Sequence, residues 1–149
     1  MADNLKRILV SGLTSNPKYI PTWYNYDEVG SRLLQKSVEI NRDYYLRGSE
    51  KEFLEHRSQD IIPDVSYDLT LVDLGSGDCS KTRHVIDELL KRQKALTFYP
   101  LDISAEFLLD AAKEISQEYD ELLLVRPITA DYVEGINQLS RSRLRSGMR

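Results

Sequence analysis

Hydrophobic residues follow two different patterns in the middle of the chain. Between residues 67 and 132, short continuous apolar runs alternate with segments in which apolar residues recur every three or four positions. Continuous runs are typical of buried parallel strands, and the three-to-four spacing is typical of amphipathic helices. The alternation predicts the order βαβαβ, which is one half of a doubly wound α/β fold.

Each of these elements can be placed on the sequence. The predicted strands are Tyr67–Leu74, Leu96–Leu101 and Leu122–Ile128. Pro127 lacks a backbone N–H and therefore limits the pairing of the third strand. The predicted helices run from about Ser80 to Gln93 and from Ser104 to about Tyr119. Their apolar faces comprise Val85, Ile86, Leu89 and Leu90 in the first helix, and Phe107, Leu108, Ala111, Ala112 and Ile115 in the second.

The first 62 residues are aromatic-rich and irregular, with local helical signals. Asp27 is a candidate N-cap for one helix. The face that this helix is expected to bury comprises Val29, Leu33, Leu34 and Val38. Ser49 and Glu52 have the spacing of a capping box, which predicts the start of a second helix at Ser49. We expect Tyr44 and Tyr45 to lie in the turn between the two helices.

Hydrophobic periodicity is lost after Val133, and the chain ends in a Ser/Arg-rich stretch. Four of the 20 basic residues lie among the last nine residues, whereas all 24 acidic residues precede them. We therefore divide the chain into an N-terminal helical cap segment (1–62), a Rossmann-like half-domain (63–133) and a Ser/Arg-rich tail (134–149). The acidic body argues against a general nucleic-acid-binding or membrane surface.

Composition narrows the classes of protein further. A length of 149 residues fits one domain, and 41% hydrophobic with 30% charged residues is typical of a soluble globular chain. No apolar run approaches the ~18 residues of a membrane span. One cysteine excludes an intramolecular disulfide and fits a cytoplasmic setting, and two histidines leave little for a zinc site.

Gly75 and Gly77 follow the first predicted strand and precede a helix. Glycines there let the backbone turn sharply and let a ligand approach it, and the helix N-terminus offers N–H groups to an anion. The alternative is a tight turn without a ligand. Ser80 replaces the third glycine of the dinucleotide fingerprint, which disfavours a nicotinamide or flavin site. Nearby Cys79 and His84 do not predict a nucleophile–base pair, since no acid that would orient His84 is evident.

Other polar residues lie where the predicted strands end. Asp102 ends the second strand and is placed to accept hydrogen bonds from ribose hydroxyls, or alternatively to cap the next helix. Lys81 follows the glycine loop, where a ligand carboxylate would offset its unfavourable interaction with the helix dipole. The alternative is a solvated lysine. Asp131 and Tyr132 follow the third strand and are candidates to hold a base, or alternatively are ordinary turn residues.

Together these features resemble those of S-adenosylmethionine-dependent methyltransferases, and more closely those of the histidine-specific methyltransferase family. That family includes the histidine Nα-methyltransferase of ergothioneine biosynthesis. The resemblance extends from about Gly12 to Tyr132 and rests on four stretches. These are GLTSNPKYIPTWYNYDEVGSRL (Gly12–Leu33), INRDYYLRGSEKEFL (Ile40–Leu54), LVDLGSGDCSKTR (Leu71–Arg83) and YPLDISAEFL (Tyr99–Leu108).

The resemblance implies S-adenosyl-L-methionine as cofactor and methyl transfer to the α-amino group of an amino acid such as histidine. Tyr45 matches a tyrosine at the amino-acid substrate. The positions that match the cofactor site, including the second loop glycine, are Gly75, Gly77, Lys81, Asp102, Asp131 and Tyr132. The chain departs from the family pattern where Tyr132 replaces the more usual phenylalanine. It also departs where Asp78 and Cys79 replace small or hydroxyl residues.

The resemblance also implies a longer protein, with further strands and an inserted substrate-recognition domain. We expect no counterpart of that continuation after Val133, and the Arg/Ser tail looks like sequence from an alternative reading such as a variant splice. Two other functions stay open, namely a non-catalytic fragment that binds cofactor weakly or a partner, and a nucleotide-binding oxidoreductase module. A chain that stops after three strands leaves Leu69–Leu74 at a sheet edge, which predicts marginal stability and self-association through that edge.

Overall fold

A computed structural model describes residues 2–41 and 43–146, with side chains placed for 5–41 and 43–141. Residues 147–149 of the predicted tail lie outside the described residues. The helices are α1 (Ala2–Thr14), α2 (Glu28–Ile40), α3 (Tyr45–Ile61), α4 (Thr82–Leu90), α5 (Ala105–Tyr119) and α6 (Tyr132–Ser146). The strands are β1 (Thr70–Leu74), β2 (Leu96–Asp102), β3 (Leu123–Val125) and β4 (Ile128–Thr129). Short 3₁₀ turns occupy Thr22–Asn25 and Asp120–Leu122.

The four strands form one parallel sheet in which β2 pairs with β1 on one side and with β3 and β4 on the other. The predicted third strand is divided in two at Arg126 and Pro127, and Arg126 N–H still donates to the Phe98 carbonyl at 2.8 Å. Pro127 thus limits the pairing of this strand, as predicted. The α/β class and the partial Rossmann-like βαβαβ order are confirmed.

The core lies between the sheet and helices α4 and α5. Both predicted helix faces are confirmed in their main residues, although Phe107 is only half-buried. The almost completely buried side chains of this core include Ile86, Leu89, Leu96, Phe98, Ile115 and Leu123. This apolar layer fixes the direction of β2, and therefore the place where its carboxyl end emerges.

Strand β1 lies at one end of the sheet in the described part of the chain and pairs with β2 alone. The predicted edge position is therefore confirmed. The prediction that this strand is buried is wrong for one of its faces, because Val72 and Leu74 are 38% and 45% exposed. Alternate side chains of β1 are therefore more exposed than their neighbours.

Helix α2 begins where the sequence predicts, since Asp27 accepts a hydrogen bond from Gly30 N–H at 2.7 Å. The predicted buried face is wrong, because Val29, Leu33 and Leu34 are all exposed. The helix instead turns Ser31 towards α5, where the Ser31 hydroxyl lies 2.6 Å from the Ser104 hydroxyl. A polar contact, and not the leucine face, therefore orients α2.

Helix α3 begins at Tyr45, four residues before the predicted start at Ser49. Tyr44 is the N-cap and Tyr45 the first helical residue, so Tyr45 does not lie in a turn. The additional first turn of α3 contacts the glycine loop, as described below. Helix α1 was not predicted, although Leu5, Ile8, Leu9 and Gly12 share its less exposed side at helical spacing.

Residues after Val133 were predicted to lack hydrophobic periodicity, but they continue helix α6 to Ser146. Gly135 explains how this helix docks on the sheet. A Cβ added at Gly135 would lie 1.9 Å from a methyl carbon of Leu101, so only a glycine permits this approach. A helix that packs through a glycine carries little apolar periodicity, which is why the pattern did not reveal it. The division of the chain at residues 62 and 133 stays a prediction.

Candidate functional site

The carboxyl ends of β1, β2 and β4 meet at one edge of the sheet because these strands are parallel. Ligands of open α/β sheets bind at this edge. Gly75 follows β1, Asp102 ends β2, and Asp131 lies two residues after the β4 residue that pairs with Asp102. The topology therefore brings together the polar residues that the sequence places at three separate strand ends.

The glycine loop after β1 is fastened to the end of β2. Gly75 and Gly77 both have positive φ values, +81° and +53°, which glycine adopts without strain. The N–H groups of Gly75 and Ser76 donate to the Leu101 carbonyl at 2.8 and 3.1 Å. The Ser76 hydroxyl donates to the Asp73 carbonyl at 2.9 Å and accepts from Leu101 N–H at 3.0 Å. These bonds fix the loop before any ligand arrives.

Asp102 joins the glycine loop to the start of α5. Its Oδ2 accepts from Gly77 N–H and its Oδ1 from Ser104 N–H, both at 3.0 Å. Asp102 therefore bonds the residue that precedes α5 and not an N–H of the helix itself. A carboxylate has about four acceptor sites, so two backbone bonds leave room for ribose hydroxyls.

Tyr132 and Asp131 border the same loop. A Cβ added at Gly75 would lie 2.8 Å from the Tyr132 hydroxyl, so the tyrosine hydroxyl sits directly over the glycine. Asp131 Oδ1 accepts from Glu134 N–H at 2.9 Å at the start of α6. Asp131 therefore performs an ordinary turn role, and its side chain and that of Tyr132 are both exposed at the strand ends.

Lys81 and Tyr45 stand apart from this cluster. Lys81 Nζ forms an ion pair with Glu50 of α3 at 2.6 Å. It is therefore not a freely solvated lysine, and its charge already has a partner within the protein. The Glu50 carboxylate supplies the negative charge that was expected from a ligand. Tyr45 lies on the same helix and is 76% exposed.

Sequence reasoning missed the polar residues that attach the helical cap segment to this edge. Glu28 accepts from the N–H groups of Glu106 and Phe107 at 3.0 and 3.1 Å and so caps α5 from outside. The Ser104 hydroxyl donates to the Tyr26 carbonyl at 2.7 Å. Nothing in the spacing of the chain indicates contacts across almost 80 residues.

Asp78 is a further missed residue. Its Oδ2 accepts from Arg47 Nη2 at 2.6 Å and from Gln35 Nε2 at 3.2 Å, and its Oδ1 accepts from Ser80 N–H and hydroxyl at 3.0 and 2.7 Å. Burial raises the pKa of this carboxyl, but the bonds from Ser80 and the charge of Arg47 outweigh burial and lower its pKa. The one available signal was that Asp78 departs from the family pattern.

Cys79 is completely buried beside the loop and has a positive φ of +55°. Burial, together with the Asp73 carboxylate, raises the pKa of its thiol to about 12. The thiol is therefore neutral near pH 7 and is a poor nucleophile.

An apolar groove lies elsewhere, along the 3₁₀ turn at Thr22–Asn25 and helix α2, with a volume of about 570 Å³. None of the seven predicted site residues, all of which are described, lines it. We place the site at the strand ends, because polar groups converge there and an open groove alone specifies no ligand. Among the described residues, no group of His, Cys, Asp and Glu is arranged to hold a metal ion, and no helix is long and apolar enough to cross a membrane.

Comparison with known proteins identifies similar chains. The chain is 34% identical over 137 residues to the histidine N-alpha-methyltransferase of Mycobacterium tuberculosis. The aligned stretch covers 92% of this chain and 42% of that protein. It is 34% identical over 122 residues to the N-methyltransferase benX of Aspergillus terreus, covering 82% of this chain and 33% of the relative. A 4-dimethylallyltryptophan N-methyltransferase of Claviceps purpurea is 32% identical over 115 residues, covering 76% and 33%. The chain thus spans about two fifths or less of the length of these relatives.

The family model for histidine-specific, SAM-dependent methyltransferases matches residues 5–148. The expectation that the resemblance ends near Tyr132 is therefore wrong, because the match continues through the residues that follow Val133. The match also removes the ground for interpreting residues 134–149 as sequence from an alternative reading. Because the match extends over almost the whole chain, the chain belongs to the histidine-specific, S-adenosylmethionine-dependent methyltransferase family.

Proposed function

We propose that this chain forms the cofactor-binding part of an amino-acid Nα-methyltransferase, with S-adenosyl-L-methionine held at the carboxyl ends of β1 and β2. The observation that carries the proposal is the hydrogen bond between Gly77 N–H and Asp102. This bond joins the glycine loop to the ribose-binding candidate in a chain of this family. Family membership argues against the oxidoreductase alternative.

The residues at the strand ends fit the cofactor chemically. Gly77 leaves the loop backbone open to a ligand, since the nearest atom to a Cβ there lies in Phe107 at 3.9 Å, whereas the Tyr132 hydroxyl occupies the space beside Gly75. Asp102 keeps acceptor capacity for two ribose hydroxyls. The exposed Tyr132 ring offers a face to a base, and Asp131 offers a carboxylate beside it.

Lys81 and Tyr45 complete the proposed assignment. Lys81 would pair with the cofactor carboxylate while it remains close to Glu50, because an ammonium group has three donors. Tyr45 would contact the amino-acid substrate. Similarity to histidine N-alpha-methyltransferases favours histidine as that substrate, and with it a place in ergothioneine biosynthesis. A cytoplasmic setting agrees with the single, reduced cysteine.

When bound, the cofactor would supply an electrophilic methyl group on its sulfonium ion; transfer to a neutral amine would break the methyl–sulfur bond, leave S-adenosylhomocysteine and release a proton from the methylated amine. Such a reaction needs placement more than it needs acid–base groups, and placement contributes about 7–11 kcal/mol to lowering a barrier. The task of this chain is therefore to hold its ligands in a fixed arrangement, which its preformed glycine loop serves.

Calorimetry with S-adenosylhomocysteine and NAD tests the cofactor assignment. We expect the chain to bind S-adenosylhomocysteine more tightly, and Asp102→Ala to weaken this binding by roughly 1.5–3 kcal/mol, because charge-assisted hydrogen bonds are lost. Asp110→Ala, an exposed acid of α5, is the control. Equal affinity of wild type and Asp102→Ala in folded protein would refute the assignment.

Turnover distinguishes an active enzyme from a non-catalytic fragment that binds cofactor or a partner. We expect little or no transfer of a labelled methyl group to histidine by the 149-residue chain, because Tyr45 is the one substrate residue assigned and it is largely exposed. Robust transfer would show that Tyr45 and its neighbours suffice to place the substrate.

A further inference from the structure

The carboxylate of Asp78 connects three segments that are distant in sequence. It belongs to the glycine loop, and one of its oxygens accepts hydrogen bonds from Gln35 of α2 and Arg47 of α3. Its other oxygen is held by Ser80 at the end of the loop. The acceptor positions of the carboxylate are therefore all occupied by groups of the protein, and none is left for a ligand.

The position of Arg47 gives this connection a consequence for the proposed substrate side. Arg47 and Tyr45 both lie in the first turn of α3, two residues apart. A helical turn is stiff, so a bond that fixes Arg47 also fixes the backbone from which Tyr45 projects. Tyr45 itself is exposed, so its own packing does little to hold it.

A second ion pair, Lys81 with Glu50, also joins α3 to the region of the loop. Its two side chains are 42% and 44% exposed, against 31% for Arg47 and 26% for Asp78. Exposed pairs are weakened by solvent and salt, and the Asp78 pair carries additional hydrogen bonds. The attachment of α3 to the loop therefore depends mainly on Asp78.

We propose that Asp78 is a positioning residue that couples the cofactor loop to the first turn of α3, and thereby sets where Tyr45 stands relative to the cofactor. The role of Tyr45 rests on the proposed function, whereas the coupling itself is a property of the ligand-free chain. A ligand that fixes the loop would then also fix α3.

Hydrogen–deuterium exchange of the whole chain tests the coupling. Asp78→Asn keeps the size of the side chain but leaves one acceptor oxygen in place of two, so it cannot hold both Ser80 and Arg47. We expect amides in the first two turns of α3 to exchange about tenfold faster than in wild type, while β2 stays unchanged. Arg47→Gln should have the same local effect, and the double variant should add nothing.

Asp110→Asn is the matched control, because it removes an ion pair between Arg32 of α2 and α5 without touching the loop. Unchanged α3 exchange in Asp78→Asn would overturn the proposal. A uniform increase that includes β2 would also overturn it, since that result indicates general destabilisation. An equal increase of α3 exchange in the Asp110→Asn control would overturn the proposal as well, since it also indicates general destabilisation.

A second comparison adds S-adenosylhomocysteine. We expect it to slow exchange in both the glycine loop and α3 of wild type, but only in the loop of Asp78→Asn. Equal slowing of α3 in both proteins would overturn the coupling. A wild-type chain that binds no S-adenosylhomocysteine would refute the proposed function, and the ligand-free comparison would still decide whether Asp78 holds α3.

Discussion

The sheet region and the helical cap segment are held in place by different interactions. Around β2, large apolar side chains are almost completely removed from solvent. Among the described side chains of the cap segment, from 5 to 62, the buried residues are Gly12, Ser31, Ser58 and Ile62. Ile62 joins the core of the sheet, and the other large apolar side chains are at least partly exposed. That segment is attached to the strand ends by hydrogen bonds and ion pairs. The comparison teaches that the sheet specifies the fold and brings Gly75, Asp102 and Asp131 together, whereas polar contacts attach the cap segment, which carries Tyr45, to that site.

Removing one phenylalanine from each region gives the largest contrast. Phe98→Ala empties a completely buried position in β2 and should cost about 3–5 kcal/mol of unfolding free energy. Phe53→Ala in α3 removes a side chain that is 51% exposed and should cost less than about 1 kcal/mol. Urea denaturation measures both. Similar losses would mean that the cap segment has an apolar core of its own.

Glu28→Ala tests the polar attachment directly. It removes the acceptor for two N–H groups at the start of α5, and we expect a loss of about 1 kcal/mol, as for other helix caps. Glu39→Ala, an exposed acid of the same helix, is the control. Denaturation and amide exchange in α5 report the effect. An equal change in both variants would show that Glu28 does not attach α2 to α5.

Acid should weaken the cap segment before it affects the sheet. The pKa of Asp78 is lowered in the folded chain, so its carboxylate stabilises the fold above the ordinary aspartate pKa near 4, and this contribution is lost as pH falls below that value. The unfolding free energy of the wild type, measured by urea denaturation, should exceed that of Asp78→Asn by about 1 kcal/mol at pH 6. This difference should shrink towards pH 2.5. A difference that is independent of pH would contradict the role of the charge.

The smallest effect on stability is expected at the edge of the sheet. We propose that two copies of the chain associate along β1, because its outer backbone groups have no strand partner among the described residues and Val72 is exposed. Val72→Lys should change the unfolding free energy by less than about 0.5 kcal/mol but yield monomers in sedimentation velocity. Leu109→Lys on α5 is the control. Monomeric wild type would refute the association.

The sheet could be predicted because its signals are local. Continuous apolar runs mark β1 and β2, and the faces around Ile86 and Leu108 have the spacing of helices. Gly75, Gly77 and Asp102 could be predicted to meet because parallel strands end at one edge. The family resemblance extended this prediction to a cofactor and to Tyr45.

The rest could not be predicted because its signals are not local. Glu28 contacts backbone groups almost 80 residues away, and Gly135 permits a contact that apolar spacing does not record. The leucines of α2 misled the prediction, because an apolar helical stripe does not say whether a partner is present. Helix α1 has helical spacing at Leu5, Ile8 and Leu9 but only partly buries them, so its stripe is short and weak.

The buried thiol of the glycine loop can report how often this part of the molecule opens. Cys79 is the one cysteine of the chain, has no solvent exposure, and keeps its proton near pH 7. A thiol-specific alkylating reagent should therefore modify the folded chain only when the loop and helix α4, which follows it, open together. The rate of modification then measures how often the proposed cofactor site comes apart, and a ligand that binds there should slow it.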